Sequence, residues 1–193
     1  MSASNSKAAL RQAALARRQA VDETTREAFA TRLALEGVKL ARSAIVRTVA
    51  AYWPMPDEPD TRGLLAALNY HEFSVALPVV VAKGHPLLFR KWSPRDLLLE
   101  GAFGIMEPSS RLPEVLPDIV FVPLAAFDRR GHRIGFGAGF YDRTLHHLRS
   151  VKNILAIGVA FNVQEVEAVP EDPHDEPLDF IMTETDFIAC RNN

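Results

Sequence analysis

Three glycines stand at alternate positions, 135, 137 and 139, in the stretch GHRIGFGAGFYDR (131–143), and run directly into an aromatic pair, an aspartate and an arginine. Glycine adopts positive φ and lets a ligand approach the backbone closely, so the stretch suits an anion held by backbone N–H groups. The same residues also make an irregular turn, with Asp142 as a helix-start carboxylate. Composition alone leaves both interpretations open.

Two familiar phosphate-binding motifs do not fit this stretch. A dinucleotide pattern G-x-G-x-x-G that starts at Gly135 needs glycine where Phe140 stands, and one that starts at Gly137 needs it where Asp142 stands. The P-loop pattern fails because no Lys-Ser or Lys-Thr pair follows. What remains is a glycine-rich loop that enters a helix at about Gly139, where free N–H groups and the helix dipole favour phosphate.

Two cations near the N-terminus are further candidates for anion binding. Lys7 and Arg11 lie four residues apart, so on a helix they share one face and can present two charges to a polyphosphate. The alternative is a solvated basic face, which is the usual role of such a pair. The arginines at 17, 18 and 26 carry no further signal, and we expect them to be solvated.

A single glutamate, Glu58, lies in a proline-flanked loop after the first expected strand, at the edge where open parallel sheets bind ligands. Its carboxylate can accept paired N–H donors from a ligand, and the alternative is ordinary solvated surface. Trp53 and Met55 of the same loop are expected either as pocket lining or as core. The six histidines and Cys190 show no metal-ligand spacing, so no histidine or cysteine metal cluster is expected.

The elements that must position these residues alternate between helices and strands. Helical periodicity over residues 4–43, with a break at 22–25, predicts two helices ahead of the first strand. Buried strands are expected at 44–52, 73–81, 118–128, 154–161 and 180–183, a more exposed strand at 86–92, and helices at 62–70 and 141–151. Prolines and glycines predict irregular structure over 93–117. The pattern predicts an α/β fold: one domain over 1–193, three layers (α/β/α), a largely parallel, Rossmann-like sheet and N-terminal helices.

Composition limits the class of protein. The 193 residues, 48% of them hydrophobic and 24% charged, are enough to bury a full core. The 22 basic and 24 acidic residues give a net charge of −2, and the basic residues are scattered, so no nucleic-acid partner is expected. Neither a signal peptide nor a membrane-spanning run of about 20 apolar residues is visible, and a cytoplasmic protein, monomeric and without a membrane partner, is expected.

The segment PDIVFVPLAAFDRRGHRIGFGAGFYDRTL (117–145) resembles the signature of the 5-formyltetrahydrofolate cyclo-ligase family, whose members are also called methenyltetrahydrofolate synthetases. In that family an aspartate and a glycine in a turn precede R-L-G-aromatic-G-x-G-aromatic-Y-D-R. Other stretches resemble the family in the same order: KAALR (7–11), AYWPMPDEPDT (51–61), ALP (76–78), FGIMEP (103–108) and HDEPLDFIMT (174–183). Ala138, Phe140 and Pro59 depart from the usual residues, and Ile134 replaces leucine conservatively.

The resemblance implies an enzyme that uses ATP and Mg²⁺ to convert 5-formyltetrahydrofolate into 5,10-methenyltetrahydrofolate, with release of ADP and phosphate. The implied catalytic residues are Arg133, Tyr141 and Asp142. The implied ATP contacts are Lys7, Arg11, Arg133, Ile134, Gly135, Phe136, Gly137, Ala138, Gly139, Phe140 and Tyr141. The implied folate contacts are Trp53, Met55, Glu58, Phe136, Gly137, Ala138, Gly139 and Phe140. The implied Mg²⁺ ligands are Asp142 and Asp175.

Two other functions stay open at this point. A sugar-phosphate isomerase or CoA-transferase-like enzyme is one, because such enzymes share the fold and fold alone does not fix function. It would need an acid/base carboxylate in a sugar-phosphate pocket, and no motif for one is visible. The other is a non-catalytic protein that binds folate or nucleotide without consuming ATP.

Overall fold

A seven-stranded sheet forms the middle layer of the computed structural model, which describes residues 3–190 of the chain. The helices are α1 (Ala3–Gln19), α2 (Glu23–Ser43), α3 (Arg62–Tyr70) and α4 (Phe140–Val151). The strands are β1 (Thr48–Ala50), β2 (Ser74–Val79), β3 (Leu88–Lys91), β4 (Leu98–Glu100), β5 (Met106–Pro108), β6 (Ile119–Pro123), β7 (Ala126–Phe127), β8 (Arg133–Ile134), β9 (Leu155–Val159), β10 (Phe180–Met182) and β11 (Phe187–Ala189).

The strand order of the main sheet is β11-β10-β9-β6-β1-β2-β3. The five inner strands are parallel, and both edge strands, β11 and β3, pair antiparallel to their neighbours. The chain leaves β1 toward β2 on one side and later returns to β6 on the other, so the topology switches direction between β1 and β6. Open α/β sheets bind their ligands outside the carboxyl ends of the strands at such a point.

The helices cover both faces of the sheet, because the parallel strands are apolar on both sides. Phe121 of β6 packs in one buried cluster with Phe29 of α2 and Leu64 of α3. Val120, the preceding residue, belongs to the opposite cluster with Leu145 of α4, as the alternation of side chains along a strand requires. No helix within the described part of the chain is long and apolar enough to cross a membrane.

The expected three-layer α/β/α fold with its largely parallel sheet is confirmed, and several local expectations are wrong. Residues 93–117 are not irregular throughout, since β4 and β5 form a hairpin within them. The strand expected over 118–128 ends at Pro123, and the residues beyond it form β7, which pairs with β8. The strand β11 has no counterpart in the expectations. These elements have two or three residues each, too few for a periodic pattern.

Candidate active site

A cavity of about 280 Å³ lies at the carboxyl edge of the sheet, near the switch between β1 and β6. Its walls come from four segments, within 52–58, 78–87, 103–107 and 123–142. Most of the lining side chains are apolar, and the charged groups among them are Glu58, Glu107, Arg133 and Asp142. An apolar cavity with a few fixed polar groups suits a small-molecule ligand that has apolar surface and a few hydrogen-bonding groups.

The glycine loop between β8 and α4 forms one wall of this cavity. Gly137 (φ +98°) lies in a region that residues with a side chain rarely adopt, so the backbone favours glycine there. Gly139 (φ +64°) is in the left-handed region, and a Cβ there would lie 2.9 Å from Arg143 Nη1. Gly135 has no such requirement, and a Cβ there would meet no described atom within 4 Å. Since Gly139 is the N-cap of α4, the loop presents bare backbone at a helix N-terminus. The irregular turn made by the glycines is therefore also the exposed backbone that could bind an anion, which we call the phosphate cradle.

The helix α1 brings both of its predicted cations to this region. Arg11 Nε donates to the carbonyl oxygen of Gly135 at 2.7 Å. Lys7 Nζ lies between two aspartates, 2.6 Å from Asp172 Oδ2 and 2.7 Å from Asp175 Oδ2. Burial lowers the pKa of Lys7, but the hydrogen bonds and charges of the two aspartates outweigh it and raise that pKa above its ordinary value. Lys7 is therefore an ion-paired group and not a solvated one.

Arg133 joins the glycine loop to the loop that follows β9. Its Nη2 donates to Asp142 Oδ1 at 2.6 Å, and its Nη1 donates to the carbonyl oxygen of Glu176. Burial lowers the pKa of Arg133, and the charges of Asp142 and Asp175 oppose that shift. Desolvation raises the pKa of the neighbouring Tyr141 phenol, so that group keeps its proton and can donate a hydrogen bond.

The two predicted metal ligands each keep one carboxylate oxygen without a hydrogen bond from the described residues. Asp142 uses Oδ1 for Arg133 and for the Glu176 N–H at 3.3 Å, and Asp175 uses Oδ2 for Lys7 and for the Asp172 N–H at 2.9 Å. Between residues 3 and 190, no group of three or more histidine, cysteine, aspartate or glutamate side chains is placed to hold a metal ion. Mg²⁺ commonly takes one or two carboxylates together with phosphate oxygens and waters, so the residues present fit it.

Glu58 is buried, with 8% of its surface exposed, so the alternative of a solvated surface residue is wrong. Its Oε2 accepts a hydrogen bond from the Met55 N–H at 2.9 Å. Burial raises the pKa of Glu58 to about 7, although that hydrogen bond and the charge of Arg18 act in the opposite direction. Trp53 packs edge-on against Trp92, with ring centroids 5.8 Å apart, and both Trp53 and Met55 line the cavity.

The expectation that the arginines at 17, 18 and 26 are all solvated is wrong for two of them. Arg18 is 6% exposed, and its guanidinium lies 5.8 Å from the centre of the Phe136 ring. Arg26 donates to backbone carbonyl oxygens of Val21, Arg18 and Asp57. The missed signal is the helical spacing, since Arg18 stands seven residues after Arg11 and four after the buried Ala14.

The β4–β5 hairpin is the other part of the site that the sequence pattern did not predict. Phe103, in the turn between the two strands, lines the cavity and stacks edge-on against Phe140 with centroids 6.0 Å apart. Glu107 Oε1 accepts from the Val80 N–H at 3.0 Å, which fixes the hairpin to the end of β2. The motif FGIMEP marks this segment in the sequence, but no strand pattern there points to a cavity wall.

The switch-point cavity and the glycine loop at the start of α4 define an α/β protein with a small-molecule site at the carboxyl edge of its sheet. A sequence model described as the 5-formyltetrahydrofolate cyclo-ligase family matches residues 3–184. The chain belongs to this family, and the resemblance of its motifs is confirmed.

Individual relatives agree with the family match. The 5-formyltetrahydrofolate cyclo-ligase of Mycolicibacterium smegmatis is 38% identical over 191 residues, which cover 92% of this chain and 93% of the relative. That of Haemophilus influenzae is 38% identical over 137 residues, or 68% and 73% of the two chains. The solved structure of Aquifex aeolicus 5,10-methenyltetrahydrofolate synthetase superposes with a TM-score of 0.80 at 32% identity, covering 97% of this chain and 94% of the other.

Proposed function

We propose that this enzyme converts 5-formyltetrahydrofolate into 5,10-methenyltetrahydrofolate at the expense of ATP. The observation that carries the proposal is the arrangement around the glycine loop: Arg11 on one side, Asp142 at its helical end, and the cavity with the buried Glu58 beside it. Family membership favours this activity over a sugar-phosphate isomerase or CoA-transferase-like reaction. We further propose a single domain over 1–193 that acts as a cytoplasmic monomer.

The chemical difficulty in this reaction is that a formamide oxygen is a poor leaving group. Transfer of the γ-phosphoryl group of ATP to that oxygen makes the formyl carbon electrophilic and releases ADP. The folate's own N10 then attacks the carbon and loses its proton to solvent or to the phosphate, and the C–O bond breaks as phosphate departs. Both nucleophiles belong to the substrate, so the protein contributes position and charge and no covalent group of its own.

The ATP phosphates are placed against the loop 135–139. Backbone N–H groups at the start of α4 point to this region, and the helix dipole favours negative charge there. Arg11 packs against the loop and supplies one cation, with its guanidinium 3.7–3.9 Å from the position of a Cβ on Gly137. Lys7 supplies a second cation, which exchanges its contact with Asp172 for one with phosphate and keeps its contact with Asp175.

The free oxygens of Asp142 and Asp175 are the groups that would hold Mg²⁺. The bound ion would supply positive charge that offsets the charge developing on the transferred phosphoryl group. Arg133 contributes by holding Asp142 through the oxygen that the ion does not use. The second carboxylate is restrained in the same way by Lys7.

The folate ring system is placed in the cavity between the β1 loop and the glycine loop. The ionised carboxylate of Glu58 accepts the paired N–H donors of the pterin, while Trp53, Met55, Phe136 and Phe140 surround the rings. A volume of about 280 Å³ is just below the usual range for ligand cavities. It therefore suits the rings, and the glutamate tail extends outside.

The experiment that tests this function combines the purified protein with 5-formyltetrahydrofolate, Mg²⁺ and ATP, and follows the near-ultraviolet absorbance of methenyltetrahydrofolate. We expect product in proportion to the ATP consumed. Binding of 5-formyltetrahydrofolate without ATP consumption would identify a non-catalytic folate protein instead. Gel filtration of the same sample tests the monomer.

We expect Lys7→Ala to weaken ATP binding by roughly ten- to a hundredfold, because a charge-assisted contact contributes about 1.5–3 kcal/mol. Affinity for 5-formyltetrahydrofolate should stay close to that of the wild type. Arg17→Ala is the matched control, since Arg17 lies on the same helix but is exposed and donates to the Val163 carbonyl oxygen, away from the glycine loop. Titration of both ligands against both variants measures the difference. Equal losses for ATP and folate in Lys7→Ala would mean that α1 is only structural.

The two aspartates that pair with Lys7 offer a matched test of the Mg²⁺ site. We expect Asp175→Asn to raise the Mg²⁺ concentration needed for half-maximal activity several-fold, because one hard oxygen ligand loses its charge. Asp172→Asn removes an equivalent contact to Lys7, 2.6 Å long against 2.7 Å, from a carboxylate that we do not place on the metal. Its Mg²⁺ requirement should stay that of the wild type. Identical Mg²⁺ curves for the two variants would remove Asp175 from the metal site.

A further inference from the structure

Arg18, near the end of α1, is a buried cation whose side chain has no hydrogen-bond partner among residues 3–190. It is 6% exposed, and within this part of the chain nothing accepts from its Nε and Nη1, which are sealed from solvent. Arginine is rarely buried unless it is paired, since removing its charge from water is unfavourable. The contacts described for the site do not explain why the Arg18 guanidinium is buried without a hydrogen-bond partner.

The charged groups around Arg18 identify what its guanidinium faces. Arg26 packs beside it but is occupied by backbone carbonyl oxygens, one of them that of Arg18 itself, and lies 3.8 Å from Asp57. Burial lowers the pKa of Arg18, and Glu58 is the strongest influence that opposes this, ahead of Tyr52 and Asp57. Arg18 and Glu58 are thus two buried, opposite charges on neighbouring segments, which Arg26 joins by donating to the carbonyl oxygens of Arg18 and Asp57. They do not form an ion pair within 4 Å.

Glu58 in turn has few groups that can balance its charge. The titratable groups that face it from the surrounding elements are Arg18 of α1, Tyr52 at the end of β1 and Tyr141 of α4. The two tyrosines are neutral, because desolvation raises the pKa of both phenols. Among these neighbours the Arg18 guanidinium is the cation.

We propose that Arg18 is a positioning residue whose charge keeps the Glu58 carboxylate ionised for the folate ring. The inference rests on the proposed function, in which Glu58 accepts the N–H donors of the pterin. The Arg18 guanidinium also lies over the Phe136 ring, which belongs to the glycine loop and to the cavity wall. One face of α1 therefore supports both substrates, with Lys7 and Arg11 on the ATP side and Arg18 on the folate side.

The direct test follows the titration of Glu58 in the protein without ligands. Carbon-13 NMR of protein labelled at the glutamate carboxyl carbons gives the midpoint, and the signal is assigned by its loss in Glu58→Gln. In Arg18→Met we expect the midpoint to rise by about one pH unit, the size of effect that a nearby opposite charge produces. In Arg18→Lys, which keeps the charge, it should stay close to the wild-type value. An unchanged midpoint in Arg18→Met would overturn the proposal.

Binding provides the second measurement. At pH 7 we expect Arg18→Met to weaken 5-formyltetrahydrofolate binding about fivefold, which corresponds to that shift in ionisation, with ATP affinity unchanged. The loss should disappear near pH 9, where Glu58 is ionised in both proteins. It should also disappear in the Glu58→Gln background, where no carboxylate charge remains to be stabilised. Equal losses for both ligands, or a loss that persists in Glu58→Gln, would mean that Arg18 only packs α1 against the loop. Arg18→Gln replaces Arg18→Met if the latter does not fold.

The two measurements separate this proposal from the proposed function. If neither the wild type nor the variants bind 5-formyltetrahydrofolate, the proposed function fails. The NMR midpoint still decides whether Arg18 controls the ionisation of Glu58, because that experiment contains no folate.

Discussion

Gly137→Val lowers ATP-dependent turnover by on the order of a hundredfold, the loss expected when a binding group moves by about 1 Å. A β-branched residue is strongly disfavoured at φ +98°, so the loop must change its backbone conformation. Its Cβ would also lie 3.7 Å from Arg11 Nη2, and the two methyl groups beyond it displace that guanidinium. The N–H groups at the start of α4 then lose their common direction. Turnover and ATP affinity of the purified variant measure the effect.

The chain offers a matched control for the backbone strain in this experiment. Gly84 has φ +83°, and a Cβ there would meet no described atom within 4 Å. Gly84→Val should therefore lose a similar amount of stability, about 1–3 kcal/mol, while keeping its turnover. If both variants lose stability and activity to the same extent, the glycine at 137 is a turn residue and the phosphate cradle is wrong.

Gly135→Ala tests whether a ligand approaches the glycine loop at a position where the fold itself does not need glycine. The fold should tolerate it, because the φ of Gly135 lies outside the left-handed region and the space where the Cβ would lie is open. That open space borders the cavity, so a methyl group there enters the volume reserved for ligand. We expect unchanged thermal melting together with weaker substrate binding. Unchanged binding would mean that neither substrate approaches the backbone at this glycine.

Glu58→Gln weakens 5-formyltetrahydrofolate binding by roughly ten- to a hundredfold, because an amide cannot replace a carboxylate that accepts two N–H donors. ATP affinity should be unaffected and serves as the internal control. Pro59 restricts the backbone of Glu58 to extended geometry in both proteins, so the side chain starts from the same position. A variant with wild-type folate affinity would remove Glu58 from the site.

The same substitution should stabilise the protein without ligand at high pH. The pKa of Glu58 in the folded protein, about 7, lies above its ordinary value of 4.5, so folding favours the protonated form. The wild type therefore loses stability as pH rises from about 4.5 to about 7, by up to about 3 kcal/mol, whereas the glutamine side chain of the variant does not titrate. Thermal melting of both proteins should agree near pH 4.5 and differ most above pH 7. A difference that does not depend on pH would contradict a raised pKa.

The weaker folate binding and the higher stability of Glu58→Gln have one physical cause. A charge in a buried site is unfavourable until a ligand satisfies it, and Glu58 is buried ahead of its ligand. Loss of binding together with a gain in stability would be the expected signature of a residue kept for function.

The amino-acid sequence by itself determined the class of fold and the order of the helices and of six of the seven strands of the main sheet. Continuous apolar runs such as 119–123 and 154–159 predict strands covered on both faces, and the helical periodicity of 4–43 predicts the two helices that precede them. These patterns are local, since the periodicity of side chains along a strand or helix needs no distant partner. The motif at 131–143 likewise predicts the glycine loop and the helix that follows it, because glycine spacing and a helix start are also local features.

Only the tertiary structure decided which charged residues are buried and with what they pair. Lys7 contacts carboxylates 165 and 168 positions away, and Glu58 and Arg18 are buried by segments distant in sequence. The short strands of the β4–β5 hairpin and β11 also depend on pairing rather than on their own patterns. A local pattern specifies which face of an element is apolar, but ionisation and ion pairing depend on desolvation and distance, which exist only once the chain has folded.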